Sequence, residues 1–474
     1  MTDRPLAFLR WALVLALALA ATLAICSRAP AAHRRRRARH KHRATPTLTP
    51  TATPTAIWKP VVLIAGGMGV ASPAIPTGEN PAILRTAEVY EPDTGTFCAV
   101  GKMTSPRDRA TATLLHGERV LIAGGVNNIF VPTIILPGPS VPSVLGSAEL
   151  FNPRTGKFTH TGSMAVARDN HTATLLRSGK VLIVGGGTDK AELFDPDSGK
   201  FVAAGRTLSS RYGNTATLLF DGRVLIAGGG DQQAEVYDPA NGRFSATGSM
   251  SVNRTYFTAT LLRDGKVLIA GGSTYSRGAP LDTAELYDPD TGEFTPLDRM
   301  NRARVGQSAT LLPDGRVLIA GGTADRTAEI YDPTTGKFVL TGAMEANRYG
   351  HSATLLPDGN VLIAGGSDET YKPLASAEIY NPATGKFTPT GSMTEPRAGQ
   401  SATLLQAPFP RPWPTPTATP TATATPTATA TATPTATATS TSTITPTASA
   451  TPTATASRVP KPVRTPEGTS RRRR

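Results

Sequence analysis

A short apolar run closed by two glycines recurs along the chain. Val317-Leu318-Ile319-Ala320-Gly321-Gly322 returns, nearly letter for letter, from Val62, Val120, Val181, Val224, Val267 and Val361. Runs of this length with no polar alternation predict strands buried on both faces. The glycines let the chain leave them at positive φ or against a close neighbour. Successive starts lie 58, 61, 43, 43, 50 and 44 residues apart, and periods of roughly 40–50 residues belong to propellers or helical arrays. The surroundings of each run decide between the two. Ahead of it stands a second short run, Ala309-Thr310-Leu311-Leu312 or Ala353-Thr354-Leu355-Leu356, joined to it through Asp314-Gly315 or Asp358-Gly359, a strong hairpin signal. After the glycines come a loop and then Ala328-Glu329-Ile330-Tyr331-Asp332-Pro333, β-branched and aromatic up to a turn dipeptide. Thr335-Gly336-Lys337-Phe338 opens a fourth run that ends near Gly342 and Met344. No helical period intervenes. Four antiparallel strands per unit, here a to d in chain order, repeated seven times, predict an all-β seven-bladed β-propeller.

The paired glycines, the aromatic and Asp-Pro after them, and an Arg just ahead of strand a resemble the Kelch repeat over roughly residues 57–406. One feature departs throughout. Where Kelch units usually carry Trp at the start of strand d, this chain has Phe97, Phe158, Phe201, Phe244, Phe294, Phe338 and Phe387. A smaller aromatic still fills the space between sheets, so the fold expectation stands. No function is carried over from Trp-bearing relatives.

The first unit begins at strand b with no strand a before it, and Ser401-Ala402-Thr403-Leu404-Leu405 is a strand a with no strand b after it. Joining the two closes the first blade and removes both orphan edges. Two charged positions also recur. Arg107, Arg168, Arg211, Arg254, Arg304, Arg348 and Arg397 each stand five residues before the Ala of strand a. Glu88, Glu149, Glu192, Glu235, Glu285, Glu329 and Glu378 open the c strands. Antiparallel topology puts both sets at the end that carries the b–c loops, so they are expected to pair as architecture rather than to form an arginine-lined ligand ring.

Candidate chemistry is sparse. His171 and His351 occupy one position of different units, where the others have Ala110, Asn214, Phe257, Gln307 and Gln400. No third ligand is in step with them, so no metal is expected. The Kelch propeller also occurs in galactose oxidase, whose copper site needs two Tyr and two His, and in a sialic-acid epimerase. The resemblance therefore implies an alternative, an extracytoplasmic carbohydrate-active enzyme. No such set can be placed here, and no cofactor is expected. The units differ most in the b–c loops: 126–146 is the longest, and 68–85, 273–282 and 367–375 are also long. Loops on a rigid scaffold carry function. The candidate binding residues are Asn127, Asn128, Phe130, Ile134, Tyr275, Arg277 and Tyr371, suited to a protein or glycan.

Charge changes the picture only at the ends. The 474-residue chain carries a formal +14, which alone would suggest a nucleic-acid binder. Residues 1–59 hold 11 Lys+Arg and one acid, and residues 406–474 hold 8 and one. The propeller thus keeps 49 − 19 = 30 basic and 35 − 2 = 33 acidic residues, so it is near neutral and presents no basic face for nucleic acid. Trp11 to Cys26 is apolar, with the length of a signal h-region, and Ala29-Pro30-Ala31-Ala32 offers small residues for cleavage. Seven positive charges from Arg34 to Arg43 oppose their own translocation. Two readings stand: an exporting signal, or an anchor through residues 11–26. Residues 44–56 and 412–456 are nearly all Thr, Pro and Ala, too poor in apolar bulk to fold. They resemble extended or O-glycosylated stalks and favour export. The terminal Arg471 to Arg474 would suit an anionic envelope polymer or lipid. The division expected is 1–32 signal or anchor, 33–56 basic and Thr/Pro linker, 57–406 propeller, and 407–474 disordered tail. Cys26 and Cys98 leave the mature chain no internal disulfide, so closure must come from packing. The expectation is an exported or surface-tethered binding scaffold without catalysis.

Overall fold

A computed structural model describes residues 59–70, 82–129, 141–275 and 278–406. The expectations for the leader, the linker and the Thr/Pro tail lie outside the described residues, as do Phe130, Ile134 and Arg277. Among the described residues there are seven four-stranded antiparallel sheets and no helix. The a strands are Ser401–Leu405 in blade 1, Thr111–Leu114 in blade 2, His171–Leu175 in blade 3 and Thr215–Leu218 in blade 4. Thr258–Leu261, Ser308–Leu311 and Ser352–Leu355 serve blades 5, 6 and 7. Each a strand neighbours those of both flanking blades, blade 1 next to blade 7 included. This is a closed seven-bladed propeller.

Blade 6 shows the unit: Ser308–Leu311, Val317–Ala320, Ala328–Asp332 and Lys337–Leu340, paired in that order. Ile319 lies between Ala309 and Glu329 across the two ladders. The apolar b strand is buried throughout because alternate residues serve two different cores. Leu318 and Ala320 pack with Val361, Ile363 and Tyr380 of blade 7, while Val317 and Ile319 pack with Leu268 and Ala270 of blade 5. Seven such clusters fill the seven junctions, including Val62 and Ile64 against Leu362 and Ala364 between blades 1 and 7. No blade has a core of its own; the hydrophobic driving force acts only between blades.

The Phe of each d strand sits across from the c-strand aromatic of its own blade, with ring centroids 4.8–4.9 Å apart and planes tilted by 41–49°. Tyr90, Tyr287 and Tyr380 also reach back to the preceding blade, where their hydroxyls meet Thr390, Thr247 and Thr341 at 2.9–3.0 Å. Two of the expected b–c loops are partly ribbons. Val126–Ile129 pairs with Val141–Val144, and Met68–Gly69 with Ala82–Ile83. Their side of the propeller therefore carries ordered hairpin stems.

Ser401–Leu405 pairs with Val61–Ala65 over five registered positions, so blade 1 takes its innermost strand from the far end of the sequence. Removing residues 397–474 exposes one edge of Val61–Ala65 and opens the junction core. It is expected to abolish cooperative unfolding or lower Tm by tens of degrees, whereas removal of 407–474 leaves Tm unchanged. Equal calorimetric Tm values for the two truncations would contradict this closure.

Candidate functional site

The face carrying the b–c loops is built on the recurring arginines. All seven are buried, at 0–1% exposure, and each meets the c-strand glutamate of its own blade. The pairs are Arg107–Glu149, Arg168–Glu192, Arg211–Glu235, Arg254–Glu285, Arg304–Glu329, Arg348–Glu378 and Arg397–Glu88, at 2.7–3.1 Å. Arg304 shows the full pattern. Its Nε donates to Glu329 at 2.8 Å, and its Nη1 donates to the carbonyls of Gly321 and Thr327 at 2.8 and 2.9 Å. The other glutamate oxygen accepts from the Asn301 backbone N–H at 2.7 Å. The Arg304 carbonyl, in turn, accepts from Gly272 of the preceding blade at 2.8 Å. One residue thus satisfies the end of its own b strand with its side chain and that of its neighbour with its backbone. Burial pulls the guanidinium of Arg107, Arg168, Arg254 and Arg304 below its ordinary pKa, and the paired carboxylate pulls it back. Guanidinium groups nevertheless stay charged in proteins. None of the seven points into a shared opening as an unpaired cation.

The paired glycines have a geometric reason. Gly321 has φ +67°, and a Cβ there would sit 2.5 Å from the Arg348 carbonyl of the next blade. Against the same glycine packs His351. Both histidines of this position sit between blades, His171 buried and His351 half-buried, with Nε2 of His351 2.8 Å from the Ser308 hydroxyl and that of His171 3.1 Å from Thr111. Burial, with Arg168 or Arg348 close by, lowers both pKa values to about 3. They are neutral spacers in the role that Gln307 and Gln400 fill by donating to Ala270 and Ala364 carbonyls at 2.8 Å.

Two residues past each arginine the chain runs closest to the axis. These residues are Arg109, Asn170, Gly213, Tyr256, Gly306, Gly350 and Gly399, and all seven have positive φ, between 48° and 68°. Their backbones form a belt. Gly213 donates to Asn170, Tyr256 to Gly213, Gly306 to Tyr256, Gly350 to Gly306, Gly399 to Gly350 and Arg109 to Gly399, at 3.0–3.2 Å. The left-handed conformation explains the four glycines. Arg109, Asn170 and Tyr256 hold it at a conformational cost, and their side chains meet over one half of the mouth. Arg109 reaches two blades along the ring: Nε donates to Asp108 at 3.2 Å, and Nη1 lies 3.3 Å from Asp169 and donates to the Tyr212 hydroxyl at 3.2 Å. Asn170 Nδ2 donates to Tyr212 at 2.6 Å, and Tyr212 donates to Asp169 at 2.8 Å. The rings of Tyr212 and Tyr256 meet edge to face at 6.3 Å. Desolvation raises the Asp108 carboxyl to about 6 against the pull of Arg109, and burial raises the phenols of Tyr212 and Tyr256.

The loop residues singled out from sequence lie apart from this cluster. Tyr275 and Tyr371 are 73% and 79% exposed. Tyr371 sits at φ +63° in a turn where the Asp368 carboxylate accepts from Thr370 and Lys372 backbone N–H groups at 2.9 and 3.0 Å. Asn127 is half-buried opposite Ser143, and Asn128 stands opposite Pro142 in the same ribbon. The mouth cluster was missed in sequence. Its signal is the alternation two places past the ring arginine, Gly in four units and Arg, Asn or Tyr in three.

A closed ring of seven such units defines a β-propeller. The Kelch motif model matches residues 254–301 and 348–394, stretches that begin on the ring arginines Arg254 and Arg348 and end just past the junction methionines Met300 and Met393. Two of the seven units thus carry the Kelch motif. No curated protein matches the sequence. Among solved structures it is similar to a fungal alcohol oxidase of the AA5 family in complex with copper, with a TM-score of 0.51 and 20% identity over 61% of this chain and 66% of that chain. The likeness is one of fold. The two-Tyr, two-His set of the galactose-oxidase type does not fit these residues. The Nε2 atoms of the two blade-junction histidines face the Thr111 and Ser308 hydroxyls, and Cys98 lies on the outermost strand of blade 1. Among the described residues no group of three or more His, Cys, Asp or Glu could hold a metal.

The histidines make the fold acid-sensitive. Their folded pKa lies below the unfolded value of about 6.5. Unfolded chains therefore bind more protons between the two values, and stability falls as pH drops through that window. At pH 5 each histidine is expected to cost about 2 kcal/mol relative to pH 7. The double variant His171→Gln, His351→Gln should lose about 4 kcal/mol less than the natural chain over that range, measured by denaturant unfolding. An unchanged loss would contradict neutral burial.

Proposed function

We propose that the protein is an extracytoplasmic binding scaffold, exported or tethered at the surface, that takes a protein or glycan on its b–c face and performs no catalysis. The observation that carries this is Tyr371: a large aromatic, 79% exposed, held at positive φ on a turn fixed by Asp368. Surface aromatics on pre-ordered loops bind with little loss of side-chain entropy, and backbone strain at an exposed residue is kept where it serves function. Tyr275, on the b–c loop of blade 5, joins it on the same face. The apolar stretch Trp11 to Cys26 and the Thr/Pro/Ala tracts support export.

One observation favours a second reading, a carbohydrate-active enzyme. Asp108, raised to about 6, stands beside Asp169 around Arg109, and carboxyls whose environments differ can divide acid and base roles. Against this, Arg109 and Tyr212 already occupy oxygens of both groups.

A screen of the full chain against glycan and protein panels tests the proposal. The scaffold reading expects a ligand whose affinity falls about tenfold or more in Tyr275→Ala or Tyr371→Ala while Tm holds. A ligand insensitive to both, but lost on Phe220→Ala at the opposite face, would contradict it. Turnover of the bound glycan would establish the enzyme instead.

A further inference from the structure

The mouth cluster is a built arrangement to which the scaffold reading gives no ligand. Blades 6, 7 and 1 place glycine at consecutive belt positions, Gly306, Gly350 and Gly399, and blade 4 places Gly213 inside the cluster. Blades 2, 3 and 5 instead place Arg109, Asn170 and Tyr256 in the left-handed conformation, and blade 4 adds Tyr212 beside them. A repeat protein that needed only closure would keep glycine at all seven positions, since glycine adopts this φ without strain. Three costly departures on blades 2, 3 and 5, joined through Tyr212 of blade 4, point to a selected surface.

Its chemistry is specific. The side chains offer two carboxylates, a guanidinium, a carboxamide and a phenol hydroxyl, fixed by one another at 2.6–3.3 Å. The Arg109 side chain is 38% accessible, and the Tyr256 ring packs over Gly213 beside it. Planar groups with paired donors and acceptors match vicinal hydroxyls, and an aromatic ring beside them matches the C–H face of a pyranose. Two carboxylates against one guanidinium leave the cluster with no surplus positive charge, which disfavours carboxylated or phosphorylated ligands. Arg109 already bridges both carboxylates, so a cation would have to displace it.

We propose that this axial mouth binds the end of a neutral or N-acetylated saccharide, laid over Gly306 and Gly350, where a Cβ would meet nothing nearer than 3.6 Å, with its hydroxyls on Arg109 and Asn170 and its apolar face on Tyr256. This rests on the reading of the b–c face as a binding surface and names its ligand class.

The test uses the full chain and isothermal titration calorimetry. The probes are malto-, cello- and chito-oligosaccharides, lactose, and sialyllactose as the acidic control. Tyr256→Gly installs the residue that the belt has elsewhere and removes strain, so it is expected to fold with Tm unchanged or raised. Tyr212→Phe removes only the hydroxyl on which Arg109, Asn170 and Asp169 converge. A neutral or N-acetylated probe should bind the natural chain and lose about tenfold or more in affinity in each variant, with sialyllactose silent. The proposal is overturned if no neutral or N-acetylated probe binds, if only sialyllactose binds, or if affinity survives both variants. Saccharide binding lost in Tyr371→Ala but kept in both mouth variants would overturn the mouth while leaving the scaffold reading standing.

Discussion

A guanidinium buried between two sheets is the interaction on which this ring depends. Each b strand ends in two glycines at positive φ, and the carbonyls there have no ladder partner. Buried carbonyls without partners are costly. The arginine of the same blade reaches them with Nη1, as Arg304 does to Gly321 and Thr327. A hydrophobic residue of equal size could not. The charge this brings inside is matched by the c-strand glutamate, whose second oxygen accepts a backbone N–H from the d–a connection. Buried ion pairs often fail to repay desolvation. Here the return is geometric: one planar, five-donor group fixes strands b and c and the chain entering strand a relative to one another. The carbonyl of that same arginine then receives the second glycine of the preceding blade, so the order within a blade sets the spacing between blades.

Much of this was legible in the sequence. The seven Val-Leu-Ile-Ala-Gly-Gly runs read as strands buried on two sides, and each proves to divide its residues between two junction cores. The unmatched Ser401–Leu405 read as the missing strand of blade 1, and its register with Val61–Ala65 follows. Arg and Glu at fixed offsets read as partners because antiparallel topology put them at one end. What stayed hidden depends on backbone conformation and on approach across the axis. Nothing in the letters of Arg109, Asn170 and Tyr256 announces φ near +50°, and Arg109 and Tyr212 lie more than a hundred positions apart. The ribbon stems at Val126 and Met68 were hidden for another reason, since proline and asparagine in these segments speak for loops.

Symmetry and its breaking divide the labour in this molecule. The features repeated seven times, glycine pairs, buried arginines and aromatic pairs, account for stability. The features that differ gather on the b–c face, where Tyr275 and Tyr371 project and where the axial belt exchanges glycine for larger residues. A rigid ring lets strained residues persist at the mouth because the surrounding junctions over-determine their backbone.

The central claim is that the arginine–glutamate pairs act as coupled architecture. A double-mutant cycle on Arg304 and Glu329, both to Ala, tests it most directly by denaturant unfolding. Either single change leaves a buried charge unmatched and should cost about 3–5 kcal/mol. The two together should cost less than the sum of the singles by about 1.5 kcal/mol or more. Costs that add to within about 0.5 kcal/mol would show that the two side chains stabilise the ring independently and would contradict the account.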